Sequence, residues 1–361
     1  MATAAPAHAA VSSAPQATTP MFNGTIWAVA YAAETVYVGG DFTAAVVNGR
    51  TVGRERLAAF DVRTGVLRGW APRADGRVRA LAIAGSAVYI GGSFGYVNGV
   101  PRDSLARLDA ATGAVHAFRH SVSGQPYTIA IGSGRLYAGG TISAVDGQAR
   151  ARLAAFSLAS GALDDSWRPA ADSTVEAVVA TADRVYVGGK FAAVNSASGT
   201  GRVAAVHPAS GAVDTAFRTR AEDVAHGLAA ASTGVYAAHG GPGGRLVAYA
   251  LDGTARWTLT TDGDVQSVVV LSGVVYVGGH FDKVCRSARI GYQGLCVDGS
   301  NRHVKLAAVT TAGELLSWAA DGNGSEGVLA LAAHPKLGKL GAGGAFTTVN
   351  GARRERFAQF G

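Results

Sequence analysis

Val36-Tyr37-Val38-Gly39-Gly40-Asp41-Phe42 is the stretch that decides the fold, because the chain keeps returning to it. VYVGGDF recurs as VYIGGSF at 88–94, LYAGGTI at 136–142, VYVGGKF at 185–191 and VYVGGHF at 275–281. Two worn copies, VYAAHGG at 235–241 and LGAGGAF at 340–346, complete the set. The first glycine of each pair, or its equivalent, falls at 39, 91, 139, 188, 238, 278 and 343, a mean spacing of about 51 residues. Self-similarity at such a period marks a repeat architecture, and it has to be read before any local motif.

The second copy shows the unit most cleanly. Val78 to Ile83 reads as a first strand, Gly85-Ser86 as a turn, and Val88 to Phe94 as a second strand. Val97-Asn98-Gly99 supplies a hairpin turn, since Asn-Gly readily takes the positive φ that such turns need. Leu105 to Asp109 forms a third strand, Thr112-Gly113 turns the chain again, and Val115 to Phe118 is a fourth. The third strand recurs as LAAF at 57–60 and 153–156, VAAV at 203–206, LVAY at 246–249 and LAAV at 306–309. The fourth ends on an aromatic: Trp70, Phe118, Trp167, Phe217, Trp257 and Trp318. These rings, with the motif tyrosines, are expected to pack one repeat on the next. Four short strands at even spacing describe one propeller blade. The expected fold class is therefore all-β, a seven-bladed β-propeller of four-stranded antiparallel blades.

The seventh copy stops after Arg356-Phe357-Ala358-Gln359-Phe360, with three strands made and no fourth. At the other end, Pro20 to Val29 aligns with Pro72 to Leu81, so the residues before Pro20 stand where the missing strand belongs. The N-terminal segment is expected to pair with the last blade and close the ring, which removes an exposed sheet edge. Residues 9–361 then form one propeller domain, and 1–8 a leader.

The recurrent (V/L)Y(V/I)GG-x-F, V-N-G, LAxxD, T-G and W-x-P pattern resembles the delta-60 repeat propellers of secreted bacterial proteins, and is similar more loosely to kelch-type propellers. The match covers about residues 20–361. The resemblance implies architecture and carries no catalytic residues with it.

Composition agrees with many short buried strands: 48% hydrophobic, only 16% charged, and 50 glycines among 361 residues, which argues against disorder. A net charge of +7 favours acidic partners. The 32 lysines and arginines are scattered through all the repeats, without the basic stripes and interleaved stacking aromatics of a nucleic-acid binder, so nucleic acid is not an expected partner. No apolar run reaches the length of a membrane span, so no membrane insertion is expected, and a monomer is the default. Ala7-His8-Ala9, in an Ala/Pro/Ser/Thr-rich start, fits the end of a secretory signal. Cys285 and Cys296 lie within the longest inter-repeat interval and are expected to form a disulfide stapling a long loop, which suits an oxidising, extracellular compartment.

No GxSxG, HExxH, phosphate-binding loop or EF-hand loop is present, and neither a cofactor nor a metal is expected. The repeats themselves indicate where function can sit, because positions that agree are scaffold and polar positions that differ are free. One such column lies in the innermost strand: Trp27, Arg79, Tyr127, Glu176, His226, Gln266 and Leu329. A second follows the double glycine: Asp41, Ser93, Thr141, Lys190, Gly240, His280 and Ala345. Both columns should ring one mouth of the central channel, with Arg73, Asp75, Asp172, Asp223 and Asp262 added by the loops on that face. The candidate ligand-binding set is Trp27, Asp41, Arg79, Tyr127, Glu176, Lys190, His226, Gln266 and His280. Trp27 and Tyr127 would stack on sugar faces, while Arg79 or Lys190 would hold a carboxylate or sulfate.

Copy five shrinks its hairpin to His239-Gly240-Gly241-Pro242-Gly243-Gly244, and copy six raises its own through the Cys285–Cys296 segment. A low wall beside a high one is expected to leave a groove. The function expected from these features is binding, outside the cell, of an acidic polysaccharide or a cell-surface protein. A uronate lyase using Tyr127, His226, His280 and Arg79 is the enzymatic alternative. Hydrolysis is the weaker enzyme idea, since only Glu176 and Asp41 supply inner carboxylates. A purely structural docking platform is the third reading.

Overall fold

A computed structural model describes residues 10–361; the leader, residues 1–8, and the signal-like Ala7-His8-Ala9 lie outside the described residues. Among the described residues helix is confined to two 3-10 turns, Tyr292–Gly294 and Pro335–Leu337, and the rest is strand, turn and loop. Each repeat folds as an antiparallel sheet with its second strand in the middle. In repeat one the strands are Ile26–Ala32, Thr35–Gly40 and Leu57–Asp61, with Val29 opposite Val38 and Val38 opposite Ala58. The first strands of consecutive repeats pack on one another, and the last, Val328–His334, packs back on the first, Ile26–Ala32.

The motif tyrosines bind repeat to repeat. The Tyr37 hydroxyl donates to the Ala110 carbonyl at 2.8 Å and the Tyr137 hydroxyl to that of Pro208 at 2.8 Å, each in the following repeat. Their rings meet Trp70 and Trp167 at 5.0 Å between centroids. A buried phenol that satisfies its own hydroxyl adds area and direction to the packing.

The double glycine answers two steric demands. A Cβ on Gly40 would lie 2.1 Å from the Thr25 carbonyl oxygen, and one on Gly140 1.9 Å from that of Gln125, both within the same repeat. A Cβ on the first glycine would instead meet the next repeat: 2.7 Å from Val78 Cγ1 at Gly39, and 2.6 Å from Val175 Cγ1 at Gly139. Glycine in a strand costs conformational entropy, and it is kept here because two backbones and a neighbouring valine approach too closely for any side chain.

The fourth strand departs from expectation. In repeats one to four and in repeat six it shrinks to a single bridged pair, such as Phe60 with Leu67 or Phe156 with Leu163. A full strand, Ala255–Thr261, forms in repeat five. There the aromatic follows the turn glycine one residue sooner (Gly253 to Trp257, against Gly65 to Trp70), and a register shift at Tyr249 takes up the difference.

Much of the scattered positive charge belongs to the scaffold. Arg56, Arg152, Arg202, Lys305 and Arg356 stand just before the third strand with φ between 65° and 73°. From that turn Arg152 donates to the Thr141 carbonyl at 3.1 Å and Lys305 to that of His280 at 2.9 Å, while Arg202 and Arg356 reach the carbonyls of Lys190 and Ala345. These cations cap loop carbonyls and are not available to a partner.

The N-terminal segment occupies the outer side of the seventh sheet. Gln16 N–H donates to the Gln359 carbonyl at 2.8 Å, in the place where Arg68 N–H meets Ala59 and Asp164 N–H meets Ala155 in complete repeats. The Gln359 side-chain amide donates to Gln16 Oε1 at 2.6 Å. Val11 N–H donates to the Tyr276 hydroxyl at 2.8 Å, and Asn350 Nδ2 to the Ser13 carbonyl at 3.0 Å. Ala10 and Val11 also cover the cluster around Trp318 and Phe360. Deleting residues 1–19 should lower Tm by several degrees in a thermal melt, since it removes bonds and apolar cover together; an unchanged Tm would show that the segment contributes no stability. Gly140→Ala should cost more than about 3 kcal/mol in denaturant unfolding, because its methyl overlaps a carbonyl oxygen that cannot move without breaking the sheet.

Candidate functional site

The seven first strands enclose a cavity of about 530 Å³, and every member of the inner column lines it: Trp27, Arg79, Tyr127, Glu176, His226, Gln266 and Leu329. A backbone device places them there. In each sheet the pairing of first and second strands skips one residue: between Ile26 and Ala28, Val78 and Ala80, Pro126 and Thr128, Val175 and Ala177, Ala225 and Gly227, Val265 and Ser267, and Val328 and Ala330. The skipped residue is the column residue each time. A β-bulge leaves its extra residue off the ladder and re-aims that side chain. In six of the repeats the bulge stands opposite the two-residue step that the double glycine forms, which is the signal in the sequence that announces it; repeat five has Ala238 and His239 there.

The second column braces the first and does not itself line the cavity. Trp27 Nε1 donates to Asp41 Oδ2 at 2.8 Å, and Arg77 Nε donates to Asp41 Oδ1 at 2.8 Å. Lys190 Nζ stands 3.4 Å from Glu176 Oε1. His280 Nε2 accepts from Asp264 N–H at 3.3 Å, and Asp264 Oδ2 lies 4.0 Å from His226 Nε2. Burial holds the His226 imidazole below its ordinary pKa, although Asp264 and Glu176 pull the other way. The Gln266 Oε1 atom is buried with no partner among the described residues.

Cations and rings alternate on one side of the mouth. The Arg77 guanidinium sits 4.7 Å from the Trp27 ring centroid, while Arg79 sits 5.1 Å from Trp27 and 4.0 Å from Tyr127. Such contacts stabilise by roughly 0.5–1 kcal/mol when exposed and more when desolvated. Arg77 is satisfied by Asp41, but Arg79 makes no hydrogen bond or ion pair among the described residues. Arg79 therefore holds its fork of donors rigid and open. The rings that were expected to stack on sugars present faces already taken by guanidinium.

The loop residues expected at the mouth are mostly structural. Asp75 Oδ1 accepts from Gly95 and Tyr96 N–H, Asp172 from Ala192 and Ala193, and Asp262 Oδ1 from Asp282 and Lys283, all at 2.8–3.0 Å. Each caps its own hairpin. Arg73 is exposed and lies 4.0 Å from Glu55. No group of three His, Cys, Asp or Glu side chains among the described residues is placed to hold a metal ion.

Cys285 and Cys296 form the disulfide. The segment that it staples leans onto the shortened loop of repeat five, so the expected open groove is largely covered. A Cβ on Gly243 would lie 3.1 Å from Ile290 Cδ1, Thr260 Oγ1 donates to the Ser287 carbonyl at 2.5 Å, and Thr261 pairs with Val284. The result is a single six-stranded sheet running from Ala225–Ala231 to Ser300–Arg302. Beneath the shortened loop His239 replaces the second glycine of the motif. It is 2% exposed, with Nδ1 3.0 Å from the Asp223 carbonyl and Nε2 3.2 Å from the Tyr249 hydroxyl. Asp223, with no hairpin to cap, pairs with Arg245.

No protein-family model matches the chain, and no curated protein matches it. Among solved structures it is similar to the WD40 beta-propeller domain of Doa1, with a TM-score of 0.58 and 10% identity over 96% of each chain. It is also similar to the computationally designed Ika8 protein, with a TM-score of 0.52 and 14% identity over 95% of this chain and 98% of the other. At these identities the likeness shows the fold alone: the chain is a β-propeller. No helix among the described residues is long and apolar enough to cross a membrane.

Burial pushes the His239 pKa down to about 4 from 6.5. The folded state thus prefers the neutral ring, and the unfolded chain takes up the proton first. This contribution is fully present above pH 6.5 and is lost at about 1.4 kcal/mol per pH unit as the pH falls towards 4. His239→Gln should flatten the fall in Tm between pH 6.5 and 4.5 relative to the unmodified protein, as read by thermal melts across that range.

Proposed function

We propose that the chain is a secreted, seven-bladed propeller of the delta-60-repeat, kelch-like type, its ring closed by residues 10–19 acting as the outer strand of the last blade. Its channel mouth binds an extracellular ligand that carries a carboxylate, an acidic glycan or the acidic side chains of a cell-surface protein. One observation carries this reading: the Arg79 guanidinium, between the Tyr127 and Trp27 rings at the wall of a cavity of about 530 Å³, makes no hydrogen bond or ion pair among the described residues. A planar fork with its orientation already paid for is the form in which arginine binds a carboxylate in two parallel bonds. Trp27 and Tyr127 serve as the walls beside that fork. The disulfide supports an oxidising compartment.

A uronate lyase is the second reading, favoured by the neutral, cavity-lining imidazole of His226, which suits a general base. An array of uronate-rich polysaccharides, read for both binding and the absorbance of unsaturated product, separates the two. Arg79→Gln should weaken binding at least tenfold while lowering Tm by no more than a few degrees, the loss expected from its two ring contacts. Equal binding by wild type and Arg79→Gln would remove the mouth from consideration, and product formation that His226→Ala abolishes would establish the lyase.

A further inference from the structure

We infer that the ligand of the channel mouth is a zwitterion, presenting a carboxylate to Arg79 and a protonated amine to Glu326; this rests on the mouth being the binding site. Most charged groups around the cavity have partners within the protein: Arg77 pairs with Asp41 at 2.8 Å and Lys190 with Glu176 at 3.4 Å, while Asp264 Oδ1 accepts from Gly241 N–H at 3.0 Å. Two do not. Arg79 and Glu326 both line the cavity, and neither makes a hydrogen bond or ion pair among the described residues. The two make no ion pair with each other, and Trp27 belongs to the repeat that lies between theirs in the ring of first strands. Its ring lies 5.1 Å from the Arg79 guanidinium and is locked by its bond to Asp41.

Glu326 reaches the cavity through a departure from the repeat. The loop residue that caps each hairpin stands three positions before the first inward strand residue in repeats one, two, four and six: Asn23 and Ile26, Asp75 and Val78, Asp172 and Val175, Asp262 and Val265. In repeat seven the same pair is Asn323, which accepts from Thr347 and Thr348 N–H, and Val328, so the loop is two residues longer. Glu326 lies on that insertion. Its own column residue, Leu329, is the apolar member of the ring, so the lengthened loop supplies repeat seven with a polar group that the strand does not.

The charge count argues against a simple polyanion. Around the mouth stand the cations Arg77, Arg79 and Lys190 and the carboxylates Asp41, Glu176, Asp264 and Glu326. A ligand with only negative groups would meet Arg79 at one point and the uncompensated Glu326 carboxylate at another, and like charges brought together select against a partner. A ligand with one group of each sign satisfies both free side chains, and charge-assisted bonds at both ends fix its direction in the cavity.

Three probes of equal length test this by isothermal titration: an oligogalacturonate, an alternating uronate–glucosamine oligomer with free amines, and the same oligomer N-acetylated. The free-amine oligomer should bind at least tenfold more tightly than its N-acetylated form. Glu326→Gln, an exposed loop change that leaves Tm unaltered, should erase that preference, and Arg79→Gln should weaken every probe. Equal binding of the amine and N-acetyl forms, or a preference that survives Glu326→Gln, overturns the zwitterion while leaving a carboxylate site intact. Failure of all three probes, or binding indifferent to Arg79→Gln, overturns the mouth itself and the zwitterion with it.

Discussion

Close approach of backbones at the double glycine is the constraint on which the molecule depends. In six repeats the second glycine of the pair lets the carbonyl before the bulge come within about 2 Å of where a Cβ would stand, whereas repeat five carries the same bulge opposite Ala238 and His239. The first glycine lets a side chain of the next repeat, a valine at Gly39, Gly139 and Gly278, seat itself against the sheet. In those six repeats one dipeptide thus stands both opposite the bulge and against the neighbouring sheet.

The same economy governs charge. Basic side chains in the left-handed position before the third strand cap loop carbonyls, and loop aspartates cap hairpin N–H groups. Buried backbone polar groups must find partners, and here conserved-looking charge within the repeat mostly does that service. What remains unpaired at the mouth is small in number and therefore specific. The sum of the charges says little about the mouth, where Arg79 and Glu326 make no hydrogen bond or ion pair among the described residues.

Repeat five shows how a lost hairpin is compensated. Without one, its fourth strand extends fully, His239 fills the room left beside the shortened loop, Asp223 turns to Arg245, and the stapled segment of repeat six covers the top. On the side of repeat six the groove expected from loop lengths is covered by the stapled segment, while on the other side of the shortened loop His239, Pro242, Asp223 and Arg245 line a hollow. Loop length reads directly from a sequence; the direction in which a loop leans does not, since it depends on contacts with a neighbour fifty residues away.

The sequence by itself determined the repeat, its period, the first three strands of each unit and the two variable columns, because these follow from patterns of two to seven residues and from comparison between copies. It also pointed to the disulfide and to the place of the N-terminal segment. Only the tertiary structure decided that the fourth strand is mostly one bridge, that Trp27 and Tyr127 hold Arg79 and not an open stacking face, and that Asp75, Asp172 and Asp262 are caps. It alone brought Glu326 to the cavity. The physical reason is the same in each case: residue type and spacing specify what a side chain can bond to, while which partner lies within reach is fixed by how separate repeats pack.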